Sequence, residues 1–245
     1  MKKVLSSVFV LSMLVGCNTN PTAEPTVDST VEATATAESS TVDGEKFLQE
    51  LQGSYVNLFS TILTENTQQQ WIDDTKAVLG EEADEGTVND TVAMLQGSVT
   101  GSVTGEEAVT TYASNPEAMS FNCDFTNDVF SFTFAGNMIS GMDESGNTVF
   151  EHEYEYVGYD EATGFYEFQS LDGDSGEFSY FVMWPDTPAT TYHIEFRYGS
   201  NLDDLLNMYE GQYAYWMAAG IQTDADETVI ANCINLFVTE NLVAE

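Results

Sequence analysis

Hydrophobic residues recur at helical spacing through the first part of the folded chain. One run after Asp43 predicts a single amphipathic helix, whose apolar face would be Phe47, Leu48, Leu51, Tyr55, Leu58, Phe59 and Ile62. Further helices are predicted around Trp71 to Leu79, ending at Gly80, and from Val88 to Leu95. The repeat GSVTGSVTG at 97–105 predicts a loop, and a last amphipathic helix is predicted to begin near Asp226.

The hydrophobic period changes to two after Ala118. Apolar residues alternate with polar ones at 119–125 and again from Phe130 to Phe134, and this pair predicts a hairpin. Strands separated by Gly- and Asp-rich turns are then predicted at Thr148–Val157, Gly164–Ser170, Glu177–Trp184 and Thr190–Tyr198. Closely spaced strands with short turns favour an antiparallel meander closed into a small barrel. The pattern therefore predicts an α+β fold in which helices flank a barrel.

The N-terminal stretch has the layout of an export signal. Lys2 and Lys3 precede an apolar run that ends at LVGC, which resembles the lipobox of bacterial lipoproteins and implies lipid attachment at Cys17. Residues 1–16 would be the signal peptide, 17–42 a Thr/Ser/Pro/Glu-rich disordered tether, and 43–245 the folded domain. The apolar run is too short to span a bilayer, so we expect a protein of the cell envelope anchored to a membrane by its lipid.

Charge and cysteine content narrow the functional classes. The chain has 41 acidic and 5 basic residues, so it lacks the basic surface that nucleic-acid binding requires. Cys123 and Cys233 lie in apolar patterns in a chain predicted to be exported. A disulfide between them and a pair of buried free thiols are both compatible with the sequence.

No catalytic constellation is recognisable in the sequence. The nucleophile elbow G-x-S-x-G and the phosphate-binding loop are absent, and no serine is singled out as a partner for either histidine. His152 shares a strand face with aromatic residues, which favours a hydrogen-bonded core histidine over a metal ligand. We therefore predict that the protein is not an enzyme.

The stretch from Phe150 to Ile221 resembles the calycin-type domain of the ZinT/YodA family of periplasmic or cell-surface zinc-binding proteins. The motifs that carry the resemblance are EYEYVGY, YFVMW, HIEFRYG, LDDLLNMYEG and YAYW. Upstream, LQGSYVNLF resembles the opening helix of the family and YASNPEAMSFNCDFTNDVFSFT its first hairpin, so the resemblance covers most of Phe47–Leu242. It implies a small antiparallel calycin/lipocalin-like barrel.

The resemblance also implies where a zinc site would lie. The family binds zinc through three histidines, two of them spaced His-x-His before a glycine, and these two positions fall on His193 and Glu195 here. The third falls on Trp184, with Asp186 close by, so the implied ligands are His193, Glu195 and Asp186. Arg197 is predicted on the same strand face, where its charge would disfavour a cation or pair with Glu195.

The function that the resemblance implies is therefore a surface-anchored, non-enzymatic accessory lipoprotein that binds or delivers zinc through a weakened site. Its expected partners are the membrane, through Cys17, and a metal-transport system. The alternative is a lipocalin-like module that has lost the metal site and binds a small organic ligand or a partner protein in an aromatic-rich barrel.

Overall fold

The computed structural model describes residues 44–103, 125, 128–206 and 217–243, with backbone only from 98 to 103. A helical segment at 44–50 (α1) is followed by β1 (Gly53–Asn57) and α2 (Leu58–Ile62). Two longer helices come next, α3 (Gln68–Leu79) and α4 (Glu85–Val103). The remaining elements are β2 (Ser131–Ala135), β3 (Met138–Met142), β4 (Thr148–Asp160), β5 (Phe165–Ser170), β6 (Tyr180–Met183), β7 (Ile194–Gly199), α5 (Leu202–Leu205), β8 (Ala218–Gln222) and α6 (Glu227–Leu242).

The strands form one closed barrel in the order β1 to β8, and every neighbouring pair is antiparallel. Closure comes from β1, which pairs with β2 on one edge and with β8 on the other. The predicted α+β class with a small calycin-like antiparallel barrel and flanking helices is therefore confirmed. None of the helices in the described ranges is long and apolar enough to cross a membrane.

Aromatic side chains fill the barrel. Alternate residues of each strand point inward, and the interior cluster includes Phe132, Phe134, Phe150, Tyr154, Phe168, Phe181, Phe196 and Tyr198. Phe132 lies at its centre, with its ring 5.0 Å from that of Phe196 and 5.5 Å from that of Tyr198. Helix α1 closes one end of the barrel, where Phe47 stacks on Tyr166 at 4.3 Å.

The prediction of one continuous first helix is wrong for residues 53–57. Residues 53–57 form strand β1, and α1 and α2 are separate short helices on either side of it. Gly53 has a φ of 138°, a conformation that glycine adopts readily, and this lets the chain leave α1 and enter the sheet. Tyr55 points into the barrel, whereas Leu58 and Phe59 pack in the outer helical layer. The helical spacing of these residues thus arises from three elements that contact two different cores.

Two other predictions need correction. Helix α4 continues to Val103, so the described part of the GSVTGSVTG repeat is helical and not a loop. Strand β2 pairs with β1 and β3, so both of its edges are occupied by strands that the sequence pattern did not predict. The predicted hairpin partner at 119–125 lies outside the described residues except for Phe125, whose ring packs 4.9 Å from that of Phe132.

A second core lies outside the barrel and positions the candidate site. Helix α6 begins after Asp226, whose side chain accepts hydrogen bonds from the backbone N–H groups of Thr228 and Val229, so the predicted start is confirmed. Its apolar face packs with α2, α3, α4 and the outer face of β8, through residues that include Cys233, Ile234 and Val238. The helix therefore covers the chain where it enters β7.

Candidate functional site

His193 lies immediately before β7 and not within a strand, because the predicted strand from Thr190 begins only at Ile194. Residues 188–191 form a turn, and Tyr192 has a left-handed φ of 68°. This conformation is uncommon for a side chain of this size. The Tyr192 side chain packs in the outer core, and His193 follows with only 5% of its surface exposed.

Hydrogen bonding orients the His193 ring. Its Nδ1 lies 2.7 Å from the backbone oxygen of Thr191, and because a carbonyl can only accept, Nδ1 carries a proton. Its Nε2 faces the Glu195 carboxylate, at 3.4 Å from Oε1. One ring nitrogen is thus committed to the backbone, and the other is directed at an acidic side chain.

Helix α6 covers the other side of the same ring. Phe237 stacks on the imidazole with 5.6 Å between ring centroids, and the Cys233 sulfur lies 3.8 Å from Nδ1. Cys233 and Glu195 therefore lie at opposite nitrogens of His193. A single ion bound to one ring nitrogen cannot be shared with both of them, so Cys233 does not extend a ligand set built on Nε2.

Three carboxyl groups lie around the imidazole and influence one another. Burial and the nearby Glu195 carboxylate raise the pKa of Asp186 to about 6, although His193 and a hydrogen bond from Thr191 act in the opposite direction. Glu240 on α6 has its pKa raised, chiefly by burial and also by Glu195, with His193 again opposing. These couplings place Asp186, Glu195 and Glu240 in one electrostatic cluster with His193.

The protonation of His193 follows from the same surroundings. Burial acts to lower its pKa, but contacts with the Cys233 sulfur and the Glu195 carboxylate outweigh burial and raise the pKa well above its ordinary value. When Nε2 also carries a proton, the ring is an imidazolium that forms an ion pair with Glu195. A metal ion could bind Nε2 only by replacing that proton.

The implied ligands are close together but do not form a ready metal centre. Within the described part of the chain, no group of three or more His, Cys, Asp and Glu side chains is arranged to hold a metal ion. His193 and Glu195 alone form a close donor pair. Trp184 lies across from Glu195, since its backbone N–H donates to the backbone carbonyl oxygen of Glu195 at 3.1 Å. Its indole stacks on Phe165 and donates to Thr163.

Arg197 lies on the outer face of β7, as predicted, but contacts other groups. Its side chain is fully buried, the guanidinium donates from Nη1 to the Leu205 oxygen at 3.1 Å, and it lies over the Phe165 ring. No Arg197–Glu195 ion pair forms within the described residues, where the partner of Glu195 is His193. Because the guanidinium is directed towards α5, its charge is not aimed at the candidate ligands.

The structure describes some of the remaining predicted site residues, and others lie outside its described ranges. Cys233 is buried and forms no disulfide among the described residues, whereas Cys123 and Cys17 lie outside them, so the disulfide and the lipid attachment stay predictions. His152 forms its own pair with Asp172 at 2.8 Å and stacks on Phe150, away from His193.

Sequence reasoning missed Cys233 and Glu240 as neighbours of His193. The only available signal was their spacing of seven residues, which places both on one face of a helix.

Two solved structures are similar to this chain. The Zn(II)-bound ZinT-like domain of Streptococcus pneumoniae AdcA has a TM-score of 0.45 and 15% sequence identity, covering 77% of this chain and 89% of that one. Zn(II)-bound AdcA from Streptococcus pneumoniae has a TM-score of 0.42 and 14% identity, covering 76% of this chain and 34% of that one. No protein-family model matches the sequence, and no curated protein matches it. The first of these structures is of a ZinT-like domain, the type that the sequence motifs resemble.

Proposed function

We propose that this protein is a non-enzymatic, membrane-anchored accessory lipoprotein that binds zinc weakly at His193, Glu195 and Asp186. The observation that carries the proposal is the orientation of His193. Metal-binding histidines commonly donate one ring N–H to a backbone carbonyl, which fixes the ring and directs the other nitrogen at the ion. Thr191 is such an acceptor here, and Nε2 is directed at a carboxylate.

The donor chemistry is compatible with zinc but predicts weak binding. Imidazole nitrogen and carboxylate oxygen are both zinc ligands, and a stable site uses about four ligands. His193 and Glu195 supply two, and Asp186 is a third donor that has to move onto the ion. Zinc must also displace the Nε2 proton, so binding releases a proton and weakens as the pH falls.

A weak, exchangeable site supports delivery over storage. An anchor at Cys17 would hold the domain at the membrane, where a metal-transport system is the partner that we propose. The alternative function, an organic ligand inside the barrel, receives less support from the packing, because rings such as those of Phe132, Phe181 and Phe196 already occupy the interior. A ligand there would have to displace them.

Zinc titration by calorimetry tests the proposal. The protein is treated with chelator, dialysed and titrated with zinc, and His193→Ala is compared with His152→Ala. The second variant is a matched control because His152 is the other histidine of the chain and also pairs with a carboxylate. We expect weak one-to-one binding in the wild type and in His152→Ala, and none in His193→Ala. Equal binding by all three proteins would place the metal elsewhere and reject this site.

A second experiment restores the three-histidine pattern of the family that the sequence resembles. Positions 184 and 195 are adjacent across β6 and β7, so His side chains there would lie beside His193. Trp184→His with Glu195→His should tighten zinc binding at least about tenfold over the wild type, since each added imidazole replaces a water on the ion. No gain in a folded double variant would mean that this edge of the barrel does not hold the site.

A further inference from the structure

The connection between β5 and β6 (171–179) places an aromatic ring inside the barrel. Phe178 belongs to this connection and not to a strand, yet only 9% of the residue is exposed. Its ring stacks on Phe150 of β4 with 3.8 Å between centroids, and it lies parallel to the Tyr198 ring of β7 at 5.6 Å. Its backbone oxygen accepts a hydrogen bond from the Tyr154 hydroxyl. Phe150, Tyr154 and Tyr198, all on barrel strands, therefore form an aromatic slot that holds the ring and the carbonyl of Phe178.

The aromatic slot does not depend on Phe178 for its walls. Phe150 and Tyr198 both pack on Phe132, with centroid distances of 5.9 and 5.5 Å, and their strands are paired on both edges. Removal of Phe178 would leave these rings in place and leave the buried Tyr154 hydroxyl without this acceptor. An unsatisfied buried donor is unfavourable, so the empty slot favours an occupant that supplies both a flat ring and an acceptor.

We propose that Phe178 is the internal occupant of a ligand site, and that the aromatic slot takes a planar aromatic molecule bearing a carbonyl group when the connection moves outward. The ligand class follows from the two parts of Phe178 that the slot holds. The rings of Phe132, Phe181 and Phe196 come from the strands themselves and cannot leave without opening the barrel. Binding in the slot displaces instead one ring that a connection carries, and it involves neither His193 nor zinc.

The β5–β6 connection has internal hydrogen bonds that would keep its shape as it moves. The Ser175 hydroxyl donates to the Asp172 backbone oxygen at 3.0 Å, and the Phe178 backbone N–H donates to the Ser175 oxygen at 2.9 Å. At the base of the connection, the backbone N–H of Ser170 donates to the Ser179 oxygen at 2.8 Å. We therefore expect the connection to swing about this base as one piece.

Contacts outside the slot also hold the connection to β4. His152 Nδ1 lies 2.8 Å from Asp172 Oδ2, and the Leu171 backbone N–H donates to the Glu153 backbone oxygen at 2.7 Å. The Asp172 side chain is 58% exposed, so water competes for its contact with His152. Loss of this contact should raise the fraction of molecules in which the connection is open. The apparent affinity of a ligand rises in proportion to that fraction.

The test uses acetophenone and ethylbenzene, which share the same ring and differ in the carbonyl group. NMR chemical-shift titration of the whole protein measures their dissociation constants. Asp172→Ala removes the contact with His152, and Asp174→Ala is the matched control because it truncates an exposed aspartate of the same connection. We expect the wild type to bind acetophenone more tightly than ethylbenzene. Asp172→Ala should tighten acetophenone binding at least about threefold, and Asp174→Ala should leave it unchanged.

Hydrogen exchange measured by NMR tests whether the ligand displaces the connection. The Leu171 amide donates to Glu153 outside the connection, whereas the Phe178 amide donates to Ser175 within it. Saturating acetophenone should speed exchange at Leu171 more than at Phe178, because only the first bond breaks when the connection moves as one piece. Unchanged exchange at both amides would mean that the ligand binds elsewhere and would refute the proposal.

Two further variants test the slot itself. Phe178→Ala removes the internal occupant and should tighten acetophenone binding at least about tenfold. Adding Tyr154→Phe should abolish the preference for acetophenone over ethylbenzene, and a preference that survives rejects the role of the carbonyl. Binding by Phe178→Ala with none by the wild type or Asp172→Ala would indicate a cavity made by the mutation and overturn the proposal. If Phe178→Ala does not fold, equal affinities of Asp172→Ala and Asp174→Ala overturn it.

Discussion

Protonation of Asp186 should control the stability of the metal-free domain. Burial, together with the charges of Glu195 and Glu240, raises the pKa of its carboxyl from 3.8 to about 6. A raised carboxyl pKa means that the folded state binds the proton more tightly than the unfolded state. The stabilisation from this group is therefore complete below about pH 4 and is lost as the pH rises to about 6.

The size of the stability change follows from the pKa shift of Asp186. About two pKa units correspond to about 3 kcal/mol, and because water reaches part of this half-buried carboxyl we reduce the expected effect to about 1–2 kcal/mol. Asp186→Asn removes the charge permanently. The variant should be more stable than the wild type by about 1–2 kcal/mol at pH 7.5, or about 3–6 °C in Tm, and equal to it near pH 4.

Urea denaturation followed by far-UV circular dichroism at pH 4, 5.5 and 7.5, with chelator present, measures the effect. Asp174→Asn is the control, since Asp174 is exposed in the β5–β6 connection and the substitution makes the same change of charge. A gap between Asp186→Asn and the wild type that stays constant with pH would refute the reasoning. So would a variant that is less stable than the wild type at pH 7.5, because Asp186 would then be a net stabilising anion.

Three further predictions concern the anchor, the tether and Arg197. Cys17→Ser should move the protein out of the membrane fraction or leave its signal uncleaved, and unchanged retention and size on fractionation and immunoblotting would contradict lipid attachment. Deleting Asn18 to Thr41 should leave the Tm of the folded domain unchanged, because the segment offers no apolar face; a loss of several degrees would show that it packs on the domain. Arg197→Ala should cost about 3–5 kcal/mol in urea denaturation, because it empties a fully buried position and leaves the Leu205 carbonyl without this donor. A loss below about 1 kcal/mol would mean that the side chain is not packed as described.

The sequence pattern predicted the barrel better than it predicted where the barrel closes. Alternating runs identified β4 to β7 because their inward residues are large and regularly spaced. Strand β8 was missed because AAGIQ is short and nearly all buried, so it shows no alternation. Strand β1 was missed because Tyr55 falls by coincidence in helical register with residues of α1 and α2. Strands β1 and β8 pair with each other to close the barrel, an outcome of tertiary packing that local periodicity does not encode.

The candidate site also has features that the sequence could predict and features that it could not. The proximity of His193 and Glu195 could be predicted, since residues two apart at the edge of a strand share a face. The direction of Arg197 could not, because whether the side chain turns towards Glu195 or α5 depends on where Leu205 places its carbonyl. The neighbours contributed by α6 depend on how that helix docks, and its own sequence predicts only which residues share a face. Glu240 therefore entered the site through the structure alone.

The proposed zinc site would couple metal occupancy to a contact that already exists. His193 Nε2 faces the Glu195 carboxylate, and zinc would need the same nitrogen and the same carboxylate. If zinc binds there, it would replace the proton on Nε2 of the protonated ring. The zinc affinity would be set by the free-energy difference between the protonated and the metal-bound state, so zinc would be released when a partner offers more ligands or when the pH falls. A three-histidine site with ligands of ordinary pKa lacks this competitor, which is the physical reason to expect exchange and delivery from the His193–Glu195 pair.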